Sequence, residues 1–334
     1  MDCFKFSVIS DCMSQLTILI VGGAGYIGSH VNKMLNLMGY HTIVVDNLSR
    51  GSIKTVLHGT FVQGDLCDPL FLNQLFQKYS IDAVMHFAAY IDVGESVVNP
   101  AKYYQNNVVN TLNLLTAMVK SQVKTFIFSS TAAIFGYPLS NKIAESHPCH
   151  PINPYGETKW VVEKMLRDFE QAYGLKYSCL RYFNAAGGDP EGKIKNYQTK
   201  SSNLIPLILK SLQHETESIT IYGTDYATPD GTCIRDYIHI QDLGHAHIKA
   251  LEQLFNGSSS TSYNLGNGSG FSVKEVIQTV EKVLNKKVFF IEGARRPGDP
   301  PILLADTQKA TLLLNWHPQF SLAEMIDHAW TAYH

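Results

Sequence analysis

The stretch LTILIVGGAGYIGSHVNKML, Leu16 to Leu35, runs without interruption from an apolar segment through a glycine-rich turn into the opening of a helix. The turn satisfies two spacings at once, Gly23-x-Gly25-x-x-Gly28 and Gly22-x-x-Gly25-x-x-Gly28. Glycine lets a backbone turn sharply and approach a pyrophosphate with no Cβ in the way. The helix that follows offers unpaired N–H groups and the positive end of its dipole. A glycine-rich turn without a ligand is the bland alternative, but a second signal lies where a dinucleotide site needs it. Asp46 closes the next apolar run, HTIVVD, where a carboxylate accepts hydrogen bonds from both hydroxyls of a ribose. An acid there repels a 2′-phosphate and favours NAD over NADP, a preference that nearby Arg50 weakens. Asp65, in VQGDLCD, either meets the adenine edge or serves as a turn and helix-capping aspartate.

Beyond this unit the chain keeps alternating. AVMHFA and KTFIFSS are further β-branched or aromatic runs separated by amphipathic stretches, which predicts βαβ units and a parallel sheet covered on both faces. YSCLRYFN follows, then a Lys-, Asn- and Ser-rich stretch from Gly192 to Asn203 that reads as an inserted loop. Later segments are less regular: SITIYG, an apolar strand from Tyr237 to Ile240, and a helix after SYNLGNGSGFS. In that helix Ser272 and Glu275 fit a capping box, and Val273, Val276, Ile277, Val280, Val283 and Leu284 form the apolar stripe. The expected fold class is α/β, a Rossmann-like doubly wound parallel sheet with a smaller mixed α/β C-terminal lobe. Residues 1–15 are expected to be an extension, in which Met13 is an alternative start.

The composition narrows the function classes. The 334 residues carry 27 Lys+Arg against 29 Asp+Glu, a formal charge of −2, so there is no general basic field for nucleic acid or acidic lipid. No apolar run approaches the ~18 residues that span a bilayer, and the N-terminus does not resemble a secretory signal. Six scattered cysteines without CxxC spacing argue against zinc and against a disulfide framework, and point to free thiols and the cytoplasm. No metal site and no membrane or nucleic-acid partner is expected.

NPYGETKW, Asn153 to Trp160, sets a tyrosine and a lysine four apart at a helix start. Residues 155, 159, 162, 166, 169 and 173 fall at alternating four and three spacing and share one helical face. Lys159 thus stands where a merely packing face would have an apolar residue. Either its stem covers apolar surface while its amine reaches water, or it serves Tyr155. A nicotinamide cofactor needs a proton acceptor beside the hydride donor, and a phenol with its usual pKa near ~10 suits that task poorly. A neighbouring ammonium favours the phenolate and brings Tyr155 toward a useful general base. Upstream, FSSTAAIFG places Ser129, Ser130 and Thr131 at a strand end, where a hydroxyl can share the proton of a substrate alcohol.

Together these residues resemble the extended short-chain dehydrogenase/reductases, and among them the nucleotide-sugar 4-epimerases. The likeness runs from Leu16 to the C-terminus and is carried by GGAGYIG, VVDNLSRGS, HFAAYIDVGESV, YYQNNVVNT, FSSTAAIFG, PYGETK, LRYFNAAG, DGTCIRDYIHIQDL, YNLGNGSG and RRPGDP in that order. It implies reversible C4 epimerisation of UDP-galactose and UDP-glucose through a 4-keto intermediate, with tightly bound NAD. Tyr155 would be the base, Lys159 its partner and ribose ligand, and Thr131 the hydroxyl partner of the sugar 4-OH. The cofactor site would comprise Gly22, Gly25, Tyr26, Ile27, Gly28, Asp46, Asn47, Ser49, Gly51, Ser52, Asp65, Leu66, Phe87, Ala88, Ala89, Asn106, Ser129, Tyr155, Lys159 and Phe183. The UDP-hexose would meet Thr131, Tyr155, Asn184, Asn203, Leu204, Tyr222, Arg235, Arg296 and Asp299, with Leu303 at the wall of the sugar pocket. Residues 16–190, joined by roughly 236–266, would form the NAD-binding domain; 191–235 and 267–334 would form the substrate lobe. A homodimer is also implied.

The pattern is not kept everywhere. Ile91, next to Asp92, stands where several relatives carry a cofactor-contacting lysine. Ala132 and Ala133 follow Thr131 where related 4,6-dehydratases carry the Asp-Glu acid and base. The competing readings are a nucleotide-sugar dehydratase or decarboxylase on the same fold, an epimerase of UDP-N-acetylhexosamines or UDP-uronic acids, and a non-catalytic NAD-sensing module. Without the resemblance, Arg235–Asp236 reads as a local ion pair and Arg295–Arg296 as a solvated basic turn.

Overall fold

The computed structural model describes residues 16–195, 203–214, 218–296 and 299–333. The N-terminal extension and most of the loop expected between Gly192 and Asn203 lie outside them.

The apolar runs form one seven-stranded sheet. Its strands are β1 (Thr17–Val21), β2 (His41–Asp46), β3 (Thr60–Gln63), β4 (Ala83–His86), β5 (Thr125–Thr131), β6 (Lys176–Tyr182) and β7 (Thr261–Leu265). Their order is β7-β6-β5-β4-β1-β2-β3, and the pairs from β3 through β5 are parallel. The chain reverses direction across the sheet between β1 and β4, the switch point outside which open α/β sheets bind ligands. The register pairs Val21 with both Val45 and His86, and His86 with Phe128. The residues that follow, Gly22, Asp46, Phe87 and Ser129, are therefore delivered to one edge of the sheet.

By contact density the chain divides into two units. The first comprises residues 16–130, 153–180 and 247–262 among those described. Its core includes Leu19, Val45, Val84, Phe126, Val162 and Leu166, all essentially inaccessible to water. Helices α1 (Tyr26–Leu37), α2 (Pro69–Lys78), α3 (Asn110–Lys120) and α4 (Pro154–Tyr173) belong to it. Each turns an apolar stripe inward and polar residues outward, which is what holds an amphipathic helix on a sheet.

The second unit comprises residues 131–152, 181–246 and 263–333 among those described. It holds a mixed four-stranded sheet ordered Phe271–Ser272, Ile234–Arg235, Ile302–Ala305, Lys142–Ile143, whose first pair is antiparallel and the others parallel. Two further parallel pairs join Tyr237–His239 to Asn184–Ala186 and Phe290–Gly293 to Ile219–Tyr222. The helix after SYNLGNGSGFS is α5 (Val273–Leu284), opened by the expected Ser272–Glu275 capping box. Val276, Ile277 and Val280 bury into the core, with Val273, Val283 and Leu284 packed partly against it. One boundary differs from expectation: the strand at Tyr237 stops at His239, and Ile240 opens a helix that runs to Phe255.

Candidate active site

The glycine turn closes onto the backbone around it. Gly22 has φ +79°, and a Cβ there would lie 2.5 Å from the Ala88 nitrogen; a Cβ on Gly28 would fall onto the Gly22 carbonyl oxygen. No side chain fits at either point, so the turn and α1 pack as closely as a pyrophosphate cradle requires. Gly25 is the N-cap of α1 and has no side-chain cap, which leaves N–H groups at Tyr26, Ile27 and Gly28 for an anion. Phe87 and Ala88 both donate backbone N–H groups to the Val21 carbonyl, fixing Phe87, Ala88 and Ala89 against the turn.

Asp46 is buried and accepts from Ala24 N at 3.0 Å and Leu48 N at 2.8 Å. Burial raises its pKa, and those two hydrogen bonds work against the rise. Asn47 donates to Asp65 at 2.7 Å, and Asp65 also accepts from Cys67 N, so the turn role foreseen for Asp65 is present. Ser49 N binds the Asn47 side chain, while Gly51 and Ser52 rest on Ala24, Ser52 N donating to its carbonyl. Leu66 is buried. Arg50 binds Glu95 at 3.2 Å and lies over the Tyr90 ring, which engages its guanidinium. Ile91 is exposed, and Asp92 caps the helix Val93–Val98. These residues satisfy the requirements of a dinucleotide: a cradle too close for any Cβ, an uncapped helix start and a buried carboxylate.

Asn153 caps α4 by accepting from Gly156 N, Pro154 takes the first helical position, and Gly174 closes the helix in the left-handed conformation. Tyr155 is half-buried, Lys159 only 3% exposed, and Val162 and Leu166 fully buried. The predicted stripe holds except at its end, where Tyr173 is exposed and meets only the edge of the Phe169 ring among the described aromatic side chains. Lys159 Nζ donates to the Ser129 carbonyl at 2.8 Å and sits 4.8 Å from the centre of the Phe128 ring. The amine is buried and does not reach water, which removes the alternative of a lysine covering apolar surface. Burial lowers its pKa to about 7, opposed by the charge of Glu163. Thr131 accepts from Ala133 N with its hydroxyl oxygen, which leaves the hydroxyl hydrogen to donate.

Several residues here escaped the sequence reading. Glu163, one turn past Lys159, is 3% exposed and accepts from the Ser130 hydroxyl at 2.6 Å. Asn107 exchanges hydrogen bonds with the Tyr90 backbone and donates to Thr158, which donates to the Tyr155 carbonyl. Asn106 donates to Asn107, and both lie in a π-helical turn, Tyr104–Val109, of the sort common at functional sites. The four-residue spacing of 155, 159 and 163 puts Glu163 on the Tyr155 face, but nothing in the sequence marks the position as buried. The Asn107 links offered no signal.

In the second unit, Phe183 N donates to Leu265, and Asn184 donates from backbone and side chain to the Asp236 carbonyl. Asn203 is exposed just before Leu204, which opens the helix Leu204–His214. Arg235 does not pair with its neighbour Asp236. It binds Asp299 at 2.9 Å and the Pro300 carbonyl at 2.8 Å. Asp236, the residue between the strands Ile234–Arg235 and Tyr237–His239, is buried and accepts from the Asn267, Gly268 and Ala305 N–H groups. Nor are the two arginines a merely solvated turn: Arg295 binds Asp225, and Arg296 lies over the Tyr222 ring at 4.1 Å. Leu303 is half-buried and pairs in register with Arg235. A cavity of about 400 Å³ opens here, with Tyr137, Asn141, Asp299 and Ile302 in its wall. Among the described residues, no cluster of His, Cys, Asp and Glu has the arrangement of a metal site.

Comparison with known proteins places the chain in one family. The chain is 48% identical to a UDP-glucose 4-epimerase of Halalkalibacterium halodurans, over 94% of its own length and 95% of that protein's. It is 44% identical to the enzyme of that name from Rhizobium meliloti, over 95% and 97%. The crystal structure of UDP-glucose 4-epimerase from Brucella ovis in complex with NAD superposes with a TM-score of 0.93 at 44% identity, covering 95% of this chain and 98% of that one. Residues 18–266 match the model of the NAD dependent epimerase/dehydratase family. The chain belongs to the NAD dependent epimerase/dehydratase family.

Proposed function

We propose that this protein interconverts UDP-galactose and UDP-glucose by inverting C4 through a 4-keto sugar. The observation that carries the reading is Lys159, a buried amine held by the Ser129 carbonyl on the same helical face as Tyr155. The glycine turn and Asp46 would hold NAD, which would supply hydride acceptance and return when bound. Tyr155 takes the proton of the sugar 4-hydroxyl and later gives it back, and Lys159 stabilises its phenolate. The Thr131 hydroxyl shares that proton. Asn184, Asn203, Leu204, Tyr222, Arg235, Arg296 and Asp299 hold the nucleotide, the arginines by planar donors suited to phosphate. Firm anchoring of the diphosphate with few contacts to the hexose lets the ketose present its other face. Ala132 and Ala133 supply no carboxylates for dehydration.

The working form is a homodimer. Val97, Val98, Val109 and Leu112 of the first unit are exposed apolar side chains on neighbouring stretches of chain, a surface suited to a second copy. Cys67, Cys149, Cys179 and Cys233 form no disulfide, which favours the cytoplasm and its service in galactose metabolism. No helix among the described residues is long and apolar enough to cross a membrane.

The test is to incubate the purified protein with UDP-galactose without added reductant and resolve the sugar products. UDP-glucose is expected; release of a 4-keto-6-deoxy sugar or of carbon dioxide would overturn the reading. Tyr155→Phe should keep its NAD while turnover falls at least ~100-fold. Sedimentation reads the dimer, and a monomer at working concentration would dismiss it.

A further inference from the structure

We propose that Glu163 is a positioning residue of the reaction. Its buried carboxylate, one helical turn beyond Lys159 and anchored by the Ser130 hydroxyl, holds the lysine in its charged form and so sets the pH range in which Tyr155 exchanges a proton. The inference rests on the reading of Tyr155 and Lys159 as base and partner.

The placement is specific. Ser129 and Ser130 are consecutive residues of β5, so their side chains point to opposite faces of the strand. The carbonyl of the first takes the Lys159 amine at 2.8 Å, and the hydroxyl of the second donates to Glu163 at 2.6 Å. One strand end thus fixes both members of the pair. Ser130 is 1% exposed, and Lys159 and Glu163 3% each. A carboxylate so enclosed is costly unless opposed by positive charge and hydrogen bonds. Residues 159 and 163 are four apart on one helix, a separation of about 6 Å between their Cβ atoms.

Two titratable groups on neighbouring strands, coupled electrostatically to the pair, bring no charge at neutral pH. His86 on β4 is held down to about 3, by burial first and by the charge of Lys159 second. Tyr177 on β6 is pushed up to about 12, chiefly by burial, with Cys179 and Glu163 among the lesser causes. Phe128 offers only its ring face to the amine. Burial works against the ammonium, and Glu163 is what opposes it. Without that carboxylate the lysine gives up its proton at lower pH, and the Tyr155 phenolate loses the charge that stabilises it.

Glu163→Gln keeps the size of the side chain and an oxygen for Ser130 while removing the charge. In protein carrying 13C-labelled lysine, with Lys159→Arg to assign the signal, the Lys159 resonance should titrate at a pH lower by about one to two units. The alkaline limb of kcat/KM should move down with it, while KM for UDP-galactose stays within about twofold. Ser130→Ala, which keeps the charge, should move the titration less, and Glu163→Asp should restore most of the profile. Unshifted lysine titration and an unchanged pH profile in Glu163→Gln would overturn the proposal. Should Glu163→Gln be too unstable for that titration, urea unfolding of the two single variants and the double variant with Lys159→Met decides: a double variant more stable than the sum of the two single changes supports a compensating pair, and strict additivity refutes it. Tyr155→Phe separates the two claims. Full activity in that variant sinks the base assignment, whereas an inactive Tyr155→Phe beside an unshifted Glu163→Gln sinks only the role of Glu163.

Discussion

Lys159→Met should destroy turnover and at the same time make the folded protein more stable. Methionine nearly matches the lysine stem, fits an apolar site and needs no hydrogen bond. The lysine it replaces has its pKa lowered from 10.5 to about 7. Moving an ionisation midpoint by one pH unit takes about 1.4 kcal/mol, so keeping this group in place of a neutral one costs the fold up to about 5 kcal/mol at and below pH 7. Removing the ammonium leaves Glu163 with a weaker environment, which takes back about 1–3 kcal/mol. A net gain of about 2–4 kcal/mol remains. Its pH dependence is the sharper part. The unfolded chain holds the lysine proton to near 10.5 while the folded chain releases it near 7, so wild-type stability rises with pH between those values. The advantage of the variant is therefore widest at or below pH 7 and shrinks by about 1.4 kcal/mol per pH unit above it. Urea unfolding of the NAD-free proteins at pH 6, 7, 8 and 9, followed by tryptophan fluorescence, measures the gap. A variant less stable than wild type at pH 6–7, or a gap independent of pH, would refute the reasoning about a desolvated ammonium.

Two further outcomes follow from other parts of the molecule. Gly28→Ala drives a Cβ onto the Gly22 carbonyl, where only backbone could yield; about 1–3 kcal/mol of stability and at least a tenfold loss in NAD affinity by calorimetry are expected. Burial raises Asp242 to about 6 against hydrogen bonds from Phe320 and Gln319, and its second oxygen has no partner. The stability it contributes is complete below about pH 4 and lost as pH rises through about 6. Asp242→Asn should thus gain on wild type in thermal midpoint between about pH 4 and pH 6 and hold that gain above it, and a difference constant from pH 4 to pH 7 would rule the account out.

Most of the cofactor half was legible because its determinants are local. Gly22 to Gly28 must turn within a few residues, and the strands before and after betray themselves by apolar runs. Tyr155 and Lys159 were legible for the same reason, being successive turns of one helix. Glu163 was not, since the residue that explains its burial, Ser130, lies 33 positions away on another element. A carboxylate four residues past a lysine reads on sequence alone as a surface pair. Arg235 misled in a related way: adjacency to Asp236 suggested a pair, but Asp236 lies between two strands and is taken up by the Asn267, Gly268 and Ala305 N–H groups, and the partner of Arg235, Asp299, is 64 residues distant. The second unit was least legible because its strands are two to four residues long and join across the chain, which periodicity cannot register.

The division of the chain has a consequence for its synthesis. Neither unit is a continuous piece of sequence, and the edge strand β7 of the main sheet is supplied only by Thr261–Leu265. A ribosome must therefore pass residue 265 of 334 before that sheet can be completed. Until then β6 stands as an open edge whose unpaired N–H and C=O groups can recruit another chain. Premature termination between Leu180 and Thr261 should consequently yield aggregates rather than a small working NAD-binding fragment, and a chaperone has its longest opportunity on nascent chains of that length.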